Sequence, residues 1–309
     1  MVRTVLGLVL LAGMLAGCGE EKAASEPRPR VFDPGQLIWA ERSTIHVGDR
    51  TYDVGRRIIE SMERTPYGLY LEVTRDPIHG PFKDVFFDGT TMTEVPDVYS
   101  DVITSPDGEL AAWIDRTGPE RPAGRVAQVV VVDTRTGDPV FESSEGLGGE
   151  KGDDLGDRYE ELPPSVVDLT ADRLVWINSE GSGSWVTTDL ATGTSEVSDS
   201  KPDLKPTSGY EFWSPDGKYR VDASRTGRLR VQPQQPDFGH RWQTQGGWRG
   251  DHTMLALGQD EYHFSYDPTK PDTTPGYLLS CVLDAGTCQQ LATVSGARDV
   301  VFPGVDVEY

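Results

Sequence analysis

The sequence WSPDGKYRV at residues 213–221 contains the tetrad SPDG, which occurs a second time at residues 105–108. Proline presets φ for one position of a turn, and glycine tolerates the positive φ that turns often require. Apolar residues at strand-like spacing follow both tetrads. The repeated tetrad therefore predicts two equivalent turns that lead into β-strands of a recurring unit.

Three strands that follow such turns repeat in detail. They are LIWAE at 37–41, AAWID at 111–115 and LVWIN at 174–178. Because a tryptophan occupies the same place in each repeat, we interpret Trp39, Trp113 and Trp176 as core residues. A second apolar run follows each strand and closes on Asp and then Gly, so that the unit has four strands. Four antiparallel strands per repeat describe a blade of a β-propeller.

These units predict an all-β chain with six four-stranded blades. Residues 299–302 form a lone strand and residues 36–54 supply about three more, so the two ends are expected to share one blade. A closed ring leaves no exposed sheet edge, which is a physical reason for the ends to meet. Five blades, seven blades and a two-sheet sandwich also fit short strands with polar turns.

The stretch 213–221 resembles the WD40-like propeller repeat of TolB and its periplasmic relatives. Two copies match well and the others are degenerate, and the repeats extend over most of the chain after residue 31. The resemblance implies a propeller and a place in the cell envelope, but it identifies no single family.

The first thirty residues predict export and a lipid anchor. One arginine precedes an apolar run from Val5 to Gly17, which is the layout of a signal peptide, here residues 1–17. LAGC at residues 15–18 resembles the lipobox of bacterial lipoproteins, which implies diacylglyceryl and palmitate chains on Cys18. Residues 18–30 lack apolar periodicity and predict a flexible tether, followed by one domain at 31–309.

Charge and cysteine content restrict the partners. The formal net charge is −21, and basic residues do not cluster, so nucleic-acid binding is not expected. Cys281 and Cys288 stand on either side of a short turn, which predicts a disulfide across a β-hairpin. We expect a monomeric domain that meets the membrane through its lipid.

Chemistry-bearing motifs are few. Residues 143–163 form an acidic, glycine-rich insertion that is expected to loop out from a blade. Its acidic residues could hold calcium, but they lack EF-hand spacing, so a solvated loop is the preferred interpretation. His252 and His263 are the best placed of five histidines for a metal, without a convincing ligand set. The sequence therefore predicts no catalytic residue, cofactor or metal ligand.

The leading hypothesis is a lipid-anchored protein on the extracytoplasmic face of the cell membrane. It would act as a non-enzymatic binding or scaffold module for a protein or cell-envelope ligand. Two alternatives stay open. One is a propeller hydrolase or lyase acting on envelope glycans or peptides, and the other is an accessory docking subunit of an envelope complex.

Overall fold

A computed structural model describes the chain at residues 25–33, 35–76, 80–95, 98–121, 124–148, 159, 163–178, 184–204, 211–224, 228–260 and 271–304. Cys18, the predicted signal peptide and most of the acidic insertion lie outside these ranges. Nearly all regular structure within them is β-strand. No helix in the described ranges has the length and apolarity needed to span a bilayer.

The first half of the chain forms three sheets, which we number as blades 1 to 3. Blade 1 begins with β1 (Ile38–Glu41), β2 (Thr44–Val47) and β3 (Arg50–Asp53). Blade 2 consists of β4 (Ile58–Thr65), β5 (Gly68–Thr74), β6 (Lys83–Phe87) and β7 (Met92–Glu94). Blade 3 consists of β8 (Ile103–Thr104), β9 (Leu110–Asp115), β12 (Gln128–Asp133) and β13 (Pro139–Ser143). A small hairpin, β10 (Glu120–Arg121) with β11 (Gly124–Arg125), extends from blade 3.

The second half forms blades 4 to 6. Blade 4 consists of β14 (Ser165–Leu169), β15 (Arg173–Ile177), β16 (Trp185–Asp189) and β17 (Thr194–Ser198). Blade 5 contains β18 (Glu211–Trp213), β19 (Arg220–Ser224) and β20 (Arg228–Gln232). Blade 6 consists of β21 (Trp242–Trp248), β22 (Thr253–Gln259), β23 (Gly276–Val282) and β24 (Thr287–Val294). Two 3₁₀ turns (Leu283–Ala285 and Ala297–Asp299) and a last strand, β25 (Val300–Val301), complete the described chain.

The two ends of the chain close the ring in blade 1. Strand β25 pairs antiparallel with β1, placing Ala40 opposite Val301 and Glu41 opposite Val300. The resulting sheet has the order β25-β1-β2-β3. The first strands of neighbouring sheets, β25, β4, β8 and β14, contact one another in turn around the centre. The predicted six-bladed propeller with a shared blade is therefore confirmed.

The two SPDG turns adopt the same hydrogen-bonded structure. The Ser105 hydroxyl bonds Asp107 at 2.6 Å and accepts from the Leu110 amide at 3.0 Å, which holds the end of the turn against the next strand. Ser214 makes the equivalent bonds in blade 5. Gly217 has φ +70°, a left-handed conformation that favours glycine. The repeated tetrad is thus a structural unit that starts the second strand of a blade.

Blade 5 departs from the four-strand pattern, because three strands are described in it. The segment after β20 contains Pro233 and Pro236, which have no amide hydrogen to donate to a ladder. Asp237 instead makes a single parallel bridge to Thr287 of blade 6.

Two described residues of the acidic insertion pack into the protein, while most of the insertion, which is expected to loop out from a blade, lies outside the described residues. Leu147 and Tyr159 are buried in the core between blades 3 and 4. The Tyr159 hydroxyl accepts from the Ala127 amide at 3.0 Å and donates to the Leu147 carbonyl at 2.5 Å. These two side chains tie the described part of the insertion to the core between blades 3 and 4.

A disulfide joins Cys281 to Cys288, directly opposite each other on β23 and β24. Because the cross-link restricts the unfolded chain, its reduction is expected to lower the free energy of unfolding by about 2 kcal/mol. Urea denaturation of the full chain with and without a phosphine reductant measures this difference. A Cys281→Ala, Cys288→Ala variant serves as the control and should not respond to the reductant. An unchanged midpoint on reduction of the native chain would contradict the prediction.

Candidate functional site

Blades 2 and 3 face each other across a cavity of about 550 Å³, which we call the interblade pocket. Residues directly opposite on neighbouring strands project from the same face of a sheet. Tyr70 and Phe86 are paired across β5 and β6 and project from blade 2. Trp113 and Val130 are paired across β9 and β12 and project from blade 3. The pocket lies where these two rows meet.

Aromatic side chains form the inner wall of the interblade pocket. The ring centroids of Tyr70 and Phe86 are 4.9 Å apart, edge to face, and those of Tyr70 and Trp113 are 6.2 Å apart. Trp113 is 7% exposed, and its indole Nε1–H has no acceptor among the described residues. Buried donors normally have partners, so this indole N–H is an exception beside the pocket.

The residues just before blade 1 lie against this pocket. The sequence assigns residues 18–30 to a flexible tether, yet residues 25–33, which we call the docked segment, contact blades 2 and 3. Ser25 Oγ donates to Asp138 at 2.7 Å, and the Arg28 amide donates to the Arg135 carbonyl at 2.7 Å. Polar and backbone contacts of this kind leave no apolar periodicity in the sequence, so they were not predicted.

Arg28 of the docked segment projects into the interblade pocket. Its guanidinium carbon lies 4.2 Å from the centroid of the Phe86 ring, a cation–π geometry. Its Nη1 donates to the Thr134 carbonyl at 3.0 Å. Burial raises the pKa of Tyr70 to about 12, an effect that the nearby Arg28 opposes. Tyr70 therefore keeps its hydroxyl proton at physiological pH.

Carboxylates surround the opening of the pocket. Asp88, Glu94, Asp115 and Glu142 all line it, against one arginine. Glu94 pairs with Lys83 at 2.9 Å, whereas the Glu142 carboxylate has no hydrogen bond or ion pair with any residue that the structure describes. The pocket thus combines an aromatic wall with an acidic rim.

A second cavity of about 370 Å³ lies at the centre of the ring, where the first strands of the blades and their turns converge. We call it the channel mouth. Its polar groups are engaged with each other: Asp168 Oδ2 bonds Arg173 at 2.5 Å, and the Thr104 hydroxyl donates to Glu63 at 2.6 Å. The channel mouth is therefore polar, but these two carboxylates already have protein partners.

A cluster around His252 joins blades 5 and 6. His252 Nε2 lies 2.7 Å from Asp216 in the SPDG turn of blade 5, and Nδ1 lies 2.5 Å from Asp284 in blade 6. Lys218 and the hydroxyl of Tyr219 both donate to Asp284 at 2.5 Å. Each acidic group is shared between donors from both blades. The cluster is therefore best understood as a tie between blades.

This tie predicts a stability that depends on pH. Hydrogen bonds, first with Asp216 and then with Asp284, raise the pKa of His252. A raised pKa in the folded state stabilises the protein below the ordinary histidine pKa of about 6.5, and this contribution is lost as pH rises through the folded-state pKa. The melting temperature of the full chain is expected to fall as pH rises from about 6.5 through the folded-state pKa of His252, and calorimetry at a series of pH values above about 6.5 measures it.

Two histidine variants separate this effect from general pH sensitivity. His252→Asn should flatten the fall in melting temperature. His46→Asn should not flatten it, because burial lowers the pKa of His46, which stacks on Trp39 with ring centroids 3.7 Å apart. An equally steep fall in wild type and His252→Asn would show that the tie does not titrate.

The structure describes some of the residues that the sequence singled out and not others. Cys18 and His263 lie outside the described residues, and within them no group of three His, Cys, Asp or Glu side chains is arranged to hold a metal. His252 meets the two carboxylates of the tie instead. Trp39, Trp113 and Trp176 are buried, as the repeat predicts.

Comparison with protein-family models gives no match. No curated protein matches the chain either. Solved structures with a similar fold include a protein described as TolB from Agrobacterium tumefaciens, 14% identical over 84% of this chain and 89% of its own, with a TM-score of 0.43. A puromycin-hydrolyzing peptidase from Mycobacterium tuberculosis is 12% identical over 87% of this chain and 47% of its own, with a TM-score of 0.36.

An oligogalacturonate lyase in complex with manganese is 12% identical over 87% of this chain and 86% of its own, with a TM-score of 0.33. Likeness at these identities concerns the fold alone. The six-bladed β-propeller is shown by the strand pairing and sheet order of this chain itself.

Proposed function

We propose that this chain is exported, is held at the extracytoplasmic face of the membrane by lipid on Cys18, and serves there as a non-enzymatic binding module. The observation that carries the proposal is the interblade pocket. A cavity of about 550 Å³ with an aromatic wall is of the size and character of small-ligand sites. In the channel mouth, Asp168 is bonded to Arg173 and Glu63 to Thr104. Because these carboxylates are already engaged, ligand binding in the interblade pocket is favoured over chemistry in the channel.

The export and anchor rest on the signal-peptide layout and the LAGC sequence at residues 15–18. A tether would keep the propeller near the membrane while its ring stays free to meet a ligand. The ligand is a component of the cell envelope, since that is where the anchor would hold the domain.

Blocking the pocket tests this function. Thr93 is an exposed residue on β7 that lines the pocket, so Thr93→Trp should fill the opening without disturbing the core. Thr51→Trp makes the same change on β3, the outer strand of blade 1. Each full-length chain is immobilised in mild detergent and challenged with a solubilised envelope extract.

We expect an envelope component to be retained unchanged by the wild type and by Thr51→Trp and lost by Thr93→Trp. If the Thr93→Trp variant still retained the envelope component, the interblade pocket would not be the binding site. If the retained component were chemically converted, the proposed function would be wrong and the chain would be an enzyme.

A further inference from the structure

We propose that the interblade pocket binds a guanidinium group carried on an apolar body, and that Arg28 occupies the same place until such a ligand displaces it. The inference rests on the proposed binding function and specifies its ligand. It is carried by four features of the pocket: the charge of its rim, its aromatic wall, the turn against Arg28 and the space left beside Arg28.

The rim favours a cation. Four carboxylates line the pocket, and Lys83 neutralises one of them, Glu94. Asp115 accepts hydrogen bonds from the amide and hydroxyl of Thr117 in its own turn, which leaves its negative charge in place. The Glu142 carboxylate has no partner in the described part of the chain. An anionic ligand would meet net repulsion here, whereas a cation would be attracted.

The wall fits a planar cation. Phe86 already has the Arg28 guanidinium over its ring at 4.2 Å, and guanidinium groups stack on aromatic faces more readily than ammonium groups. A ligand with the same group could occupy the same face. Arg28 thus indicates which charged group the wall accepts.

A turn glycine of blade 3 lies beside this guanidinium. Gly137 follows β12 with φ +78°, and a Cβ atom at this position would lie 2.5 Å from Arg28 Nη2. Any other residue would therefore crowd the guanidinium as well as strain the backbone. The glycine leaves room for the charged group at the edge of the pocket.

Space remains beside Arg28. The cavity of about 550 Å³ is present with Arg28 docked, so the apolar body of a ligand has room against Val130 and Trp113. The Arg28 guanidinium is held by a hydrogen bond to the Thr134 carbonyl, a hydrogen bond to Tyr70 and a contact with the Phe86 ring, each individually weak. A ligand that makes the same contacts and also fills the cavity should displace it.

Titration calorimetry of the full chain in mild detergent tests the proposal with phenethylguanidine and its uncharged analogue phenethylurea. If Arg28 fills the site in about nine molecules of ten, Arg28→Ala should bind phenethylguanidine about tenfold more tightly than the wild type. Phenethylurea should bind Arg28→Ala at least about tenfold more weakly than phenethylguanidine, because it lacks the charge. Glu142→Gln should weaken the binding of the guanidine about threefold and leave the urea unchanged.

Arg50→Ala is the matched control. Arg50 lies on β3 with its guanidinium 5.7 Å from the centroid of Tyr52, so it is also an arginine over an aromatic ring, but in another blade. Its replacement should leave the affinity for phenethylguanidine unchanged. If Arg50→Ala increased the affinity for phenethylguanidine as much as Arg28→Ala does, the effect of Arg28→Ala would be one of net charge alone. That result would overturn the proposal that the ligand displaces Arg28.

The source of the guanidinium is distinguished by a third probe, acetylarginine methylamide. Tighter binding of this probe than of phenethylguanidine supports the proposal with an arginine side chain of a peptide as the ligand, and the reverse order supports it with a free small molecule. Equal binding of guanidine and urea to Arg28→Ala would overturn the ligand class while the binding function stands. If none of the probes binds but Thr93→Trp still abolishes envelope retention, the guanidinium proposal fails alone. If that retention is also insensitive to Thr93→Trp, both proposals fail.

Discussion

Replacing Trp176 with alanine is expected to lower the free energy of unfolding by about 3 to 5 kcal/mol. The side chain is fully buried on β15 and packs in the core that blades 3 and 4 share. Its Nε1–H donates to the carbonyl of Glu145, at 3.3 Å, at the start of the acidic insertion. Truncation would leave a large cavity between two blades and an unpaired carbonyl. Urea denaturation followed by circular dichroism measures the loss.

Trp185→Ala is the control within the same blade. Trp185 is half-buried on β16 with Lys201 Nζ 5.9 Å from its ring centroid. Its removal should cost about 1 kcal/mol, because solvent already covers part of the ring. If both variants lost the same stability, the shared core between blades 3 and 4 would not be a main source of cohesion in the ring.

Replacing Cys18 with alanine is expected to transfer the protein from the membrane fraction to the soluble fraction. Under the proposed function, acyl chains on this residue provide the attachment, and each buried methylene contributes about 0.8 kcal/mol. Loss of two or three chains would therefore abolish membrane binding almost completely. Fractionation of the producing cells, with metabolic labelling by palmitate, measures both attachment and lipid.

Cys281→Ala with Cys288→Ala provides the matched control, because it removes cysteines without touching the LAGC sequence. Label and membrane location should persist in this variant. A Cys18→Ala chain that stays in the membrane fraction would show that something other than this cysteine holds it there.

The architecture was predictable because its signals are local. The turn at 105–108 needs only Ser, Pro, Asp and Gly in order, and the structure shows the same bonds around Ser105 and Ser214. Alternation and turn spacing likewise predicted the strands, and the lone strand at 299–302 predicted the closure with β1. Blade 5 was harder, since Pro233 and Pro236 interrupt the pattern where a fourth strand was expected.

The candidate site was not predictable in the same way. Trp113 was correctly interpreted as buried, but a repeat cannot reveal that its indole also borders a cavity. Arg28 stands in a polar stretch whose composition indicates only a tether. His252 was considered as a metal ligand with His263, whereas the structure places it between Asp216 and Asp284.

Turn chemistry and strand alternation are properties of neighbouring residues. The order of these signals along the chain was therefore enough to predict the six blades, their closure and the disulfide. The interblade pocket depends on how far apart two blade faces stand and which side chains meet across the gap. Those distances arise from packing of the whole ring, which brings Arg28, Phe86, Trp113 and Glu142 together from four separate parts of the chain. Only the tertiary structure decides that.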